Sequence, residues 1–94
     1  MPLSIKFIGA LRHISGKTQL AVNFQEGMSV KALLSKLAQD LPELKKTFND
    51  HELNDSRSNS LILVNGREIS VQNGLETKLN DGDEIIFVPV VHGG

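Results

Sequence analysis

The sequence contains no cysteine, which excludes disulfides, thiolate metal ligands and a cysteine nucleophile from this chain. It also lacks any run of about eighteen apolar residues that could span a membrane, and its first residues lack the basic start of a signal peptide. We therefore expect a cytoplasmic protein that has no membrane partner and whose fold depends on packing.

An excess of one charge is also missing. Ten Lys and Arg residues balance eleven Asp and Glu residues, and no basic run occurs. Because nucleic-acid binding usually needs a basic stripe, we expect no nucleic-acid partner. The 94 residues are enough for one domain with one modest core.

Motifs of catalytic and metal sites are scarce. No Gly-x-Ser-x-Gly elbow or glycine-rich phosphate loop is present, and the histidines are far apart in sequence: His13, His51 and His92. Asp81, Asp83 and Glu84 share one turn. They can be interpreted as paired acids or a calcium loop, but the EF-hand spacing is absent and a solvated turn is favoured. We expect no active site, no metal and no bound cofactor.

Strands are predicted from apolar residues that recur at every second position, as Leu3, Ile5 and Phe7 do. Asn65-Gly66 follows a short apolar run and is the dipeptide best suited to a two-residue type I′ turn, so the chain should fold back there. The strands predicted in this way are residues 3–8, 20–24, 61–64, 67–71 and 84–88. The first two should pair as a hairpin.

One main helix is predicted after the second strand. Ser29 is its natural N-cap, and one face carries an apolar stripe made of Val30, Leu33, Leu34, Leu37, Ala38 and Leu41. Pro42 should end this helix and can open a short second helix that extends to Phe48. Residues 49–60 are polar and should form a surface loop.

The order strand, strand, helix, strand, short strand, strand favours an α+β fold of the β-grasp type. Its mixed sheet of four to five strands would carry one main helix on one face, with the last strand parallel to the first. Other α+β folds share this element order and stay open at this point. We expect one domain over residues 1–89, followed by a flexible, extended tail over residues 90–94.

The tail is the most informative segment: Val90, Val91, His92, Gly93 and Gly94. Five residues can reach about 17 Å, far enough to enter the active site of another protein. Glycine lacks Cβ and fits a narrow channel, so the Gly94 carboxylate is the candidate reactive group. A carboxylate is a poor electrophile and must first be activated, for example as an acyl adenylate, which implies ATP and a partner enzyme. The competing interpretation is that the two glycines occur by chance.

Three segments resemble the ubiquitin-like sulfur carriers of the MoaD/ThiS type: residues 5–12, residues 63–67 (Leu-Val-Asn-Gly-Arg), and residues 79–87 followed by a proline and Gly-Gly. The resemblance implies a β-grasp fold and a non-enzymatic carrier. A ubiquitin-activating-like enzyme that uses ATP and magnesium would adenylate Gly94, and sulfur would then give a thiocarboxylate. Further partners implied are the large subunit of molybdopterin synthase, or lysines of target proteins as for small archaeal modifiers. Two residues depart from the family's pattern. Val90 stands where a second proline is frequent, and His92 stands where a small residue is usual.

A partner surface is predicted in outline. If one helix covers one sheet face, Ile8, Ile62, Ile86 and Val88 can lie on the other and dock a partner. Alternatively, the second helix or the 49–60 loop covers them, or the strand register is reversed and they form the core. The alternative function is a noncatalytic β-grasp interaction module. The simplest expected assembly is a monomer that joins a hetero-oligomer.

Overall fold

The structure is a computed structural model that describes residues 1–46, 48 and 60–89. Its strands are β1 (Leu3–Phe7), β2 (Gln19–Val22), β3 (Ser60–Val64), β4 (Arg67–Glu68) and β5 (Glu84–Pro89). Its α-helices include α1 (Ala10–Ser15) and α2 (Val30–Asp40), and the backbone of Lys45 and Lys46 is also helical. Short 3₁₀ turns cover Pro42–Leu44, Ile69–Val71 and Gly74–Glu76.

The five strands form one mixed sheet in the order β2-β1-β5-β3-β4. β1 and β5 run parallel, with Ile5 opposite Ile85, and the other neighbouring strands are antiparallel. This is the predicted β-grasp topology, in which a helical crossover separates the opening hairpin from the later strands. It places β5, the strand that leads to the tail, at the centre of the sheet.

Helix α2 covers one face of the sheet, as its apolar stripe predicts. The Ser29 side chain accepts a hydrogen bond from the Ala32 N–H at 3.2 Å, which caps the helix at the predicted residue. Beneath it the rings of Phe7 and Phe87 stack with their centroids 5.5 Å apart. The buried residues of α2 and of the sheet belong to one core cluster that includes Val30, Leu33, Leu34, Leu37, Leu3, Ile5, Phe7, Ile85 and Phe87.

Helix α1 lies between the first two strands, where the sequence pattern predicts no helix. Gly9 starts it with φ 60°, and Gly16 ends it in the left-handed conformation, its N–H bonded to the Arg12 carbonyl at 2.9 Å. Leu11 is its one buried large apolar residue. A six-residue helix with one apolar anchor has no stripe, so periodicity could not reveal it.

Other element boundaries also differ from the predicted ones: β1 ends at Phe7, β2 covers Gln19–Val22 and β5 ends at Pro89. Strand β4 ends at Glu68, because Ile69 turns into the core and the Glu68 carboxylate accepts a hydrogen bond from the Ser70 N–H, which starts a 3₁₀ turn. Ser60 begins β3 although it was predicted to lie in the polar loop; the rest of that loop, residues 49–59, lies outside the described residues. The predicted second helix starts as a 3₁₀ turn at Pro42, and the backbone of Phe48 is helical.

Candidate functional site

The sheet face opposite α2 carries a cluster of apolar side chains that are not part of the core. Ile8 and Leu61 are 45% and 40% exposed, and the other three members are half-buried. We call this cluster the apolar patch; it consists of Ile8, Leu61, Leu63, Ile86 and Val88. An apolar cluster on a face that the main helix leaves free is the usual character of a surface that binds another protein.

The strand register brings the patch together across three neighbouring strands. Leu63 lies opposite Ile86, and Leu61 lies opposite Val88, in the antiparallel pair of β3 and β5. The Ile8 N–H donates to the Phe87 carbonyl at 3.0 Å, which continues the β1–β5 ladder and sets Ile8 beside Val88. Side chains directly opposite each other in such pairs are in contact range, so the patch is continuous.

The structure places three of the four predicted partner residues on this face and corrects the fourth. Ile8 is exposed, and Ile86 and Val88 are half-buried, but Ile62 has no exposed surface and belongs to the core. Its strand points Ser60, Ile62 and Val64 inward and Leu61 and Leu63 outward.

Sequence reasoning missed Leu61 and Leu63 because residues 61–64 are all apolar and give no alternation from which to choose the buried set. The period of a strand is two residues, so a shift of one residue reverses the assignment of every side chain. The pairing of β3 with β5 decides which residues of β3 are buried. Ile62 lies opposite the buried Phe87, whereas Leu63 lies opposite the half-buried Ile86.

The opposite end of the same face is polar. Lys6 Nζ lies 2.9 Å from Glu84 Oε2, and both side chains are about 40% exposed (41% and 40%). Ser4 lies opposite Glu84 on the same side of the sheet. The face is therefore divided into a polar end near the start of β5 and an apolar end near its last residue, Pro89.

The tail follows directly from the apolar end. Pro89 is the last residue of β5 and lies opposite Ser60. Ile8, Val88 and Leu61 form the row of the patch nearest to it. The predicted reactive segment, Val90, Val91, His92, Gly93 and Gly94, lies outside the described residues.

The acidic turn has a structural role that differs from the solvated turn that was favoured. Asp83 is buried, and its carboxylate accepts hydrogen bonds from the Asn65 side chain and the Asn80 N–H, both at 2.8 Å. Asp81 lies 2.7 Å from the Met1 amino group, whereas Glu84 pairs with Lys6. The three carboxylates thus have three different partners and do not converge on one point.

Over residues 1–46, 48 and 60–89 there is no group of three or more potential ligands positioned to hold a metal ion. The surface concavities lined by described residues include the following two. One, of about 470 Å³, is lined by Met1, Pro2, Asn23, Phe24 and Asp81. The other, of about 380 Å³, is lined by Arg12, His13, Gly16, Lys17 and Thr18. The second set includes His13 and Thr18, but no hydrogen bond joins their side chains, as a base that activates a hydroxyl would require. Neither described α-helix is long and apolar enough to cross a bilayer.

Comparison with known proteins agrees with this geometry. A protein of Archaeoglobus fulgidus described as a sulfur carrier is 40% identical over 73 residues, which cover 73% of this chain and 77% of the relative. Small archaeal modifier protein 3 of Haloferax volcanii is 27% identical over the full length of both chains. The solution structure of small archaeal modifier protein 1 from Methanosarcina acetivorans superposes with a TM-score of 0.75 at 32% identity, covering 98% of this chain and 95% of that one.

The fold is that of a ubiquitin-like β-grasp domain, and the relatives that it matches are sulfur carriers and protein modifiers. The model of the ThiS family matches residues 5–94, which is nearly the whole chain and includes Gly93 and Gly94. The chain belongs to the ThiS family.

Proposed function

We propose that this protein is a carrier whose Gly94 carboxylate is activated by a separate adenylating enzyme. The observation that carries the proposal is the family match over residues 5–94, because it spans both the β-grasp domain and the terminal Gly93-Gly94 pair. The chain itself would supply the carboxylate and the surface by which the chain docks on the enzyme. ATP and magnesium would be bound by the enzyme.

The chemistry follows from the properties of a carboxylate. One Gly94 oxygen attacks the α-phosphorus of ATP, which gives an acyl adenylate and releases pyrophosphate. A hydrosulfide ion then attacks the acyl carbon, displaces AMP and loses its proton, which leaves a thiocarboxylate. Alternatively a lysine amine attacks the same carbon and displaces AMP, leaving an isopeptide bond. Both outcomes share the first step, which is why one tail serves either.

Different relatives support the two outcomes. The 40% identical relative is described as a sulfur carrier, which favours the thiocarboxylate, whereas the full-length relative is a small archaeal modifier, which favours joining to protein lysines. The thiocarboxylate would then donate its sulfur in complex with a partner such as the large subunit of molybdopterin synthase, the acceptor there being a pterin precursor. The competing function is a noncatalytic interaction module, in which the tail has no chemical role.

The apolar patch is proposed as the docking surface for these partners. It lies at the end of the sheet that carries Pro89, so a partner bound there is next to the start of the tail. The polar end, with the Lys6 and Glu84 ion pair, would stay outside the contact or form its rim.

Carrier-dependent exchange of labelled pyrophosphate into ATP, catalysed by the host's activating enzyme, tests the adenylation step. The full chain should support exchange, and a chain that ends at His92 should not. Equal exchange with both chains would contradict activation at Gly94. An isopeptide bond from Gly94 to a lysine of a second protein, formed when sulfur is omitted, would favour the modifier role. A thiocarboxylate formed when sulfur is supplied would favour the carrier role.

A further inference from the structure

The ring of Pro89 lies directly against the backbone of Gly9. A Cβ atom built on Gly9 would come within 3.0 Å of Pro89 Cγ and within 3.7 Å of its Cδ. Gly9 also has φ 60° and ψ −135°, a conformation that residues with a side chain rarely adopt. Two independent constraints, space and backbone angle, therefore require glycine at this position.

Gly9 is held from both sides, so it is a fixed support. Ile8, which precedes it, donates its N–H to the Phe87 carbonyl at 3.0 Å. The Gly9 carbonyl accepts from the Arg12 N–H at 3.0 Å, and Leu11 in the same turn is buried in the core. Gly9 is thus tied to β5 on one side and to α1 on the other.

Pro89 is an unusual residue for its position. It belongs to the central strand of the sheet, with Ser60 of β3 opposite it, and it has no N–H to donate to a neighbour. Proline is tolerated there because its nitrogen, like the Phe87 carbonyl, faces β1, and β1 ends at Phe7. Its ring fixes its own φ and restricts the preceding Val88 to extended conformations. The backbone is therefore restricted up to the last residue before the tail.

We propose that Gly9 and Pro89 are positioning residues that hold the end of β5 in place, so that the tail is attached to the domain at a fixed point. This inference rests on the proposed function, because it concerns how the tail that carries Gly94 is offered to a partner docked on the apolar patch. When the backbone at the residue before the tail is already restricted, less conformational entropy is lost as the tail enters a partner's channel. The contact is specific: the Pro89 ring fills the space that a side chain at residue 9 would occupy.

The test compares Pro89→Ala with Pro2→Ala, a matched control at the opposite end of β1. In carrier-dependent adenylation, Pro89→Ala should raise the KM for the carrier by about two- to fivefold, the range expected when one proline's restriction of the backbone is lost. The kcat at saturating carrier should stay unchanged, since the effect is on binding. Pro2→Ala should leave both parameters unchanged. An unchanged KM for Pro89→Ala, or a fall confined to kcat, would overturn the proposal.

Two measurements test the contact between Gly9 and Pro89, called the anchor below, without any enzyme. In ¹⁵N relaxation, Pro89→Ala should increase the amplitude of motion of the Val90 amide relative to the wild type, whereas Pro2→Ala should not. In urea denaturation, Gly9→Ala should shift the midpoint less in the Pro89→Ala background than in the wild type, because alanine lacks the clashing Cγ. Equal shifts and unchanged motion would refute the anchor.

These readouts separate the two claims. If the wild type supports no adenylation, the proposed function fails, while relaxation and denaturation still decide whether Gly9 and Pro89 form the anchor. If the wild type is adenylated and Pro89→Ala behaves like Pro2→Ala in all three measurements, only the anchor fails.

Discussion

The side-chain amide of Asn65 donates a hydrogen bond to Asp83 Oδ1 at 2.8 Å, across 18 positions of sequence. The same amide accepts from the Glu84 N–H at 2.9 Å, and the Asn65 N–H donates to the Glu84 carbonyl at 2.8 Å. Because Asn65 begins the turn after β3 and Glu84 begins β5, these bonds join the hairpin turn to the start of the central strand. They hold the strand that leads to the tail.

Replacement of Asn65 should therefore destabilise the fold. Glycine at position 65 would tolerate the observed φ of 52°. Asn65→Gly would nevertheless remove the hydrogen-bond partner of the buried Asp83 carboxylate and of the Glu84 N–H, and this loss should lower the free energy of unfolding by about 1–3 kcal/mol. Asn65→Ala should cost about 1 kcal/mol more, because alanine resists a positive φ.

The measurement for these variants is the free energy of unfolding in urea. Asn80→Ala is the matched control, since the Asn80 side chain is exposed and only its backbone, through the N–H and the carbonyl, bonds to Asp83. It should change stability by less than about 0.5 kcal/mol. Equal losses for Asn65→Gly and Asn80→Ala would show that the link between the turn and β5 contributes nothing.

The orientation of β3 predicts a contrast between neighbouring residues. Ile62→Ala removes a fully buried side chain and should lower the free energy of unfolding by about 2–5 kcal/mol. Leu61→Ala truncates a side chain that is 40% exposed and should cost less than about 1.5 kcal/mol. Urea denaturation of both variants checks the assignment. A larger loss for Leu61→Ala would mean that the opposite face of the strand is buried.

A charge within the apolar patch should weaken docking without unfolding the domain. Leu61→Asp should raise the KM for the carrier in adenylation by about tenfold or more, since burying the carboxylate against a partner is costly. Val71→Asp is the control, because Val71 is 65% exposed and lies outside the patch. Circular dichroism should show both variants folded. A KM that is raised equally by both variants would exclude the patch as the specific contact.

The sequence predicts those elements whose signals are local. Ser29 caps α2 because its hydroxyl meets the free N–H of Ala32, and Asn65-Gly66 turns the chain because both residues adopt positive φ. The β-grasp topology follows from the element order and from the family resemblance, and the sheet register confirms it.

Other features depend on contacts between distant residues and could not be predicted. The pairing with β5 decides that Ile62 is buried and that Leu61 and Leu63 are not. A continuous apolar run does not alternate with polar residues, so the sequence does not show which of its residues face the core. The roles of Asp83 and of Gly9 likewise depend on partners far along the chain, Asn65 and Pro89.

The most direct test of activation at Gly94 is the intact mass of the chain after incubation with ATP, magnesium, a sulfur source and its host's activating enzyme. A chain that ends at His92 is treated in parallel. The account predicts a gain of about 16 Da on the full chain alone, from replacement of one carboxylate oxygen by sulfur, or an isopeptide-linked product that retains Gly94. With an enzyme proven active, an unmodified full chain, or the same gain on the truncated chain, would contradict it.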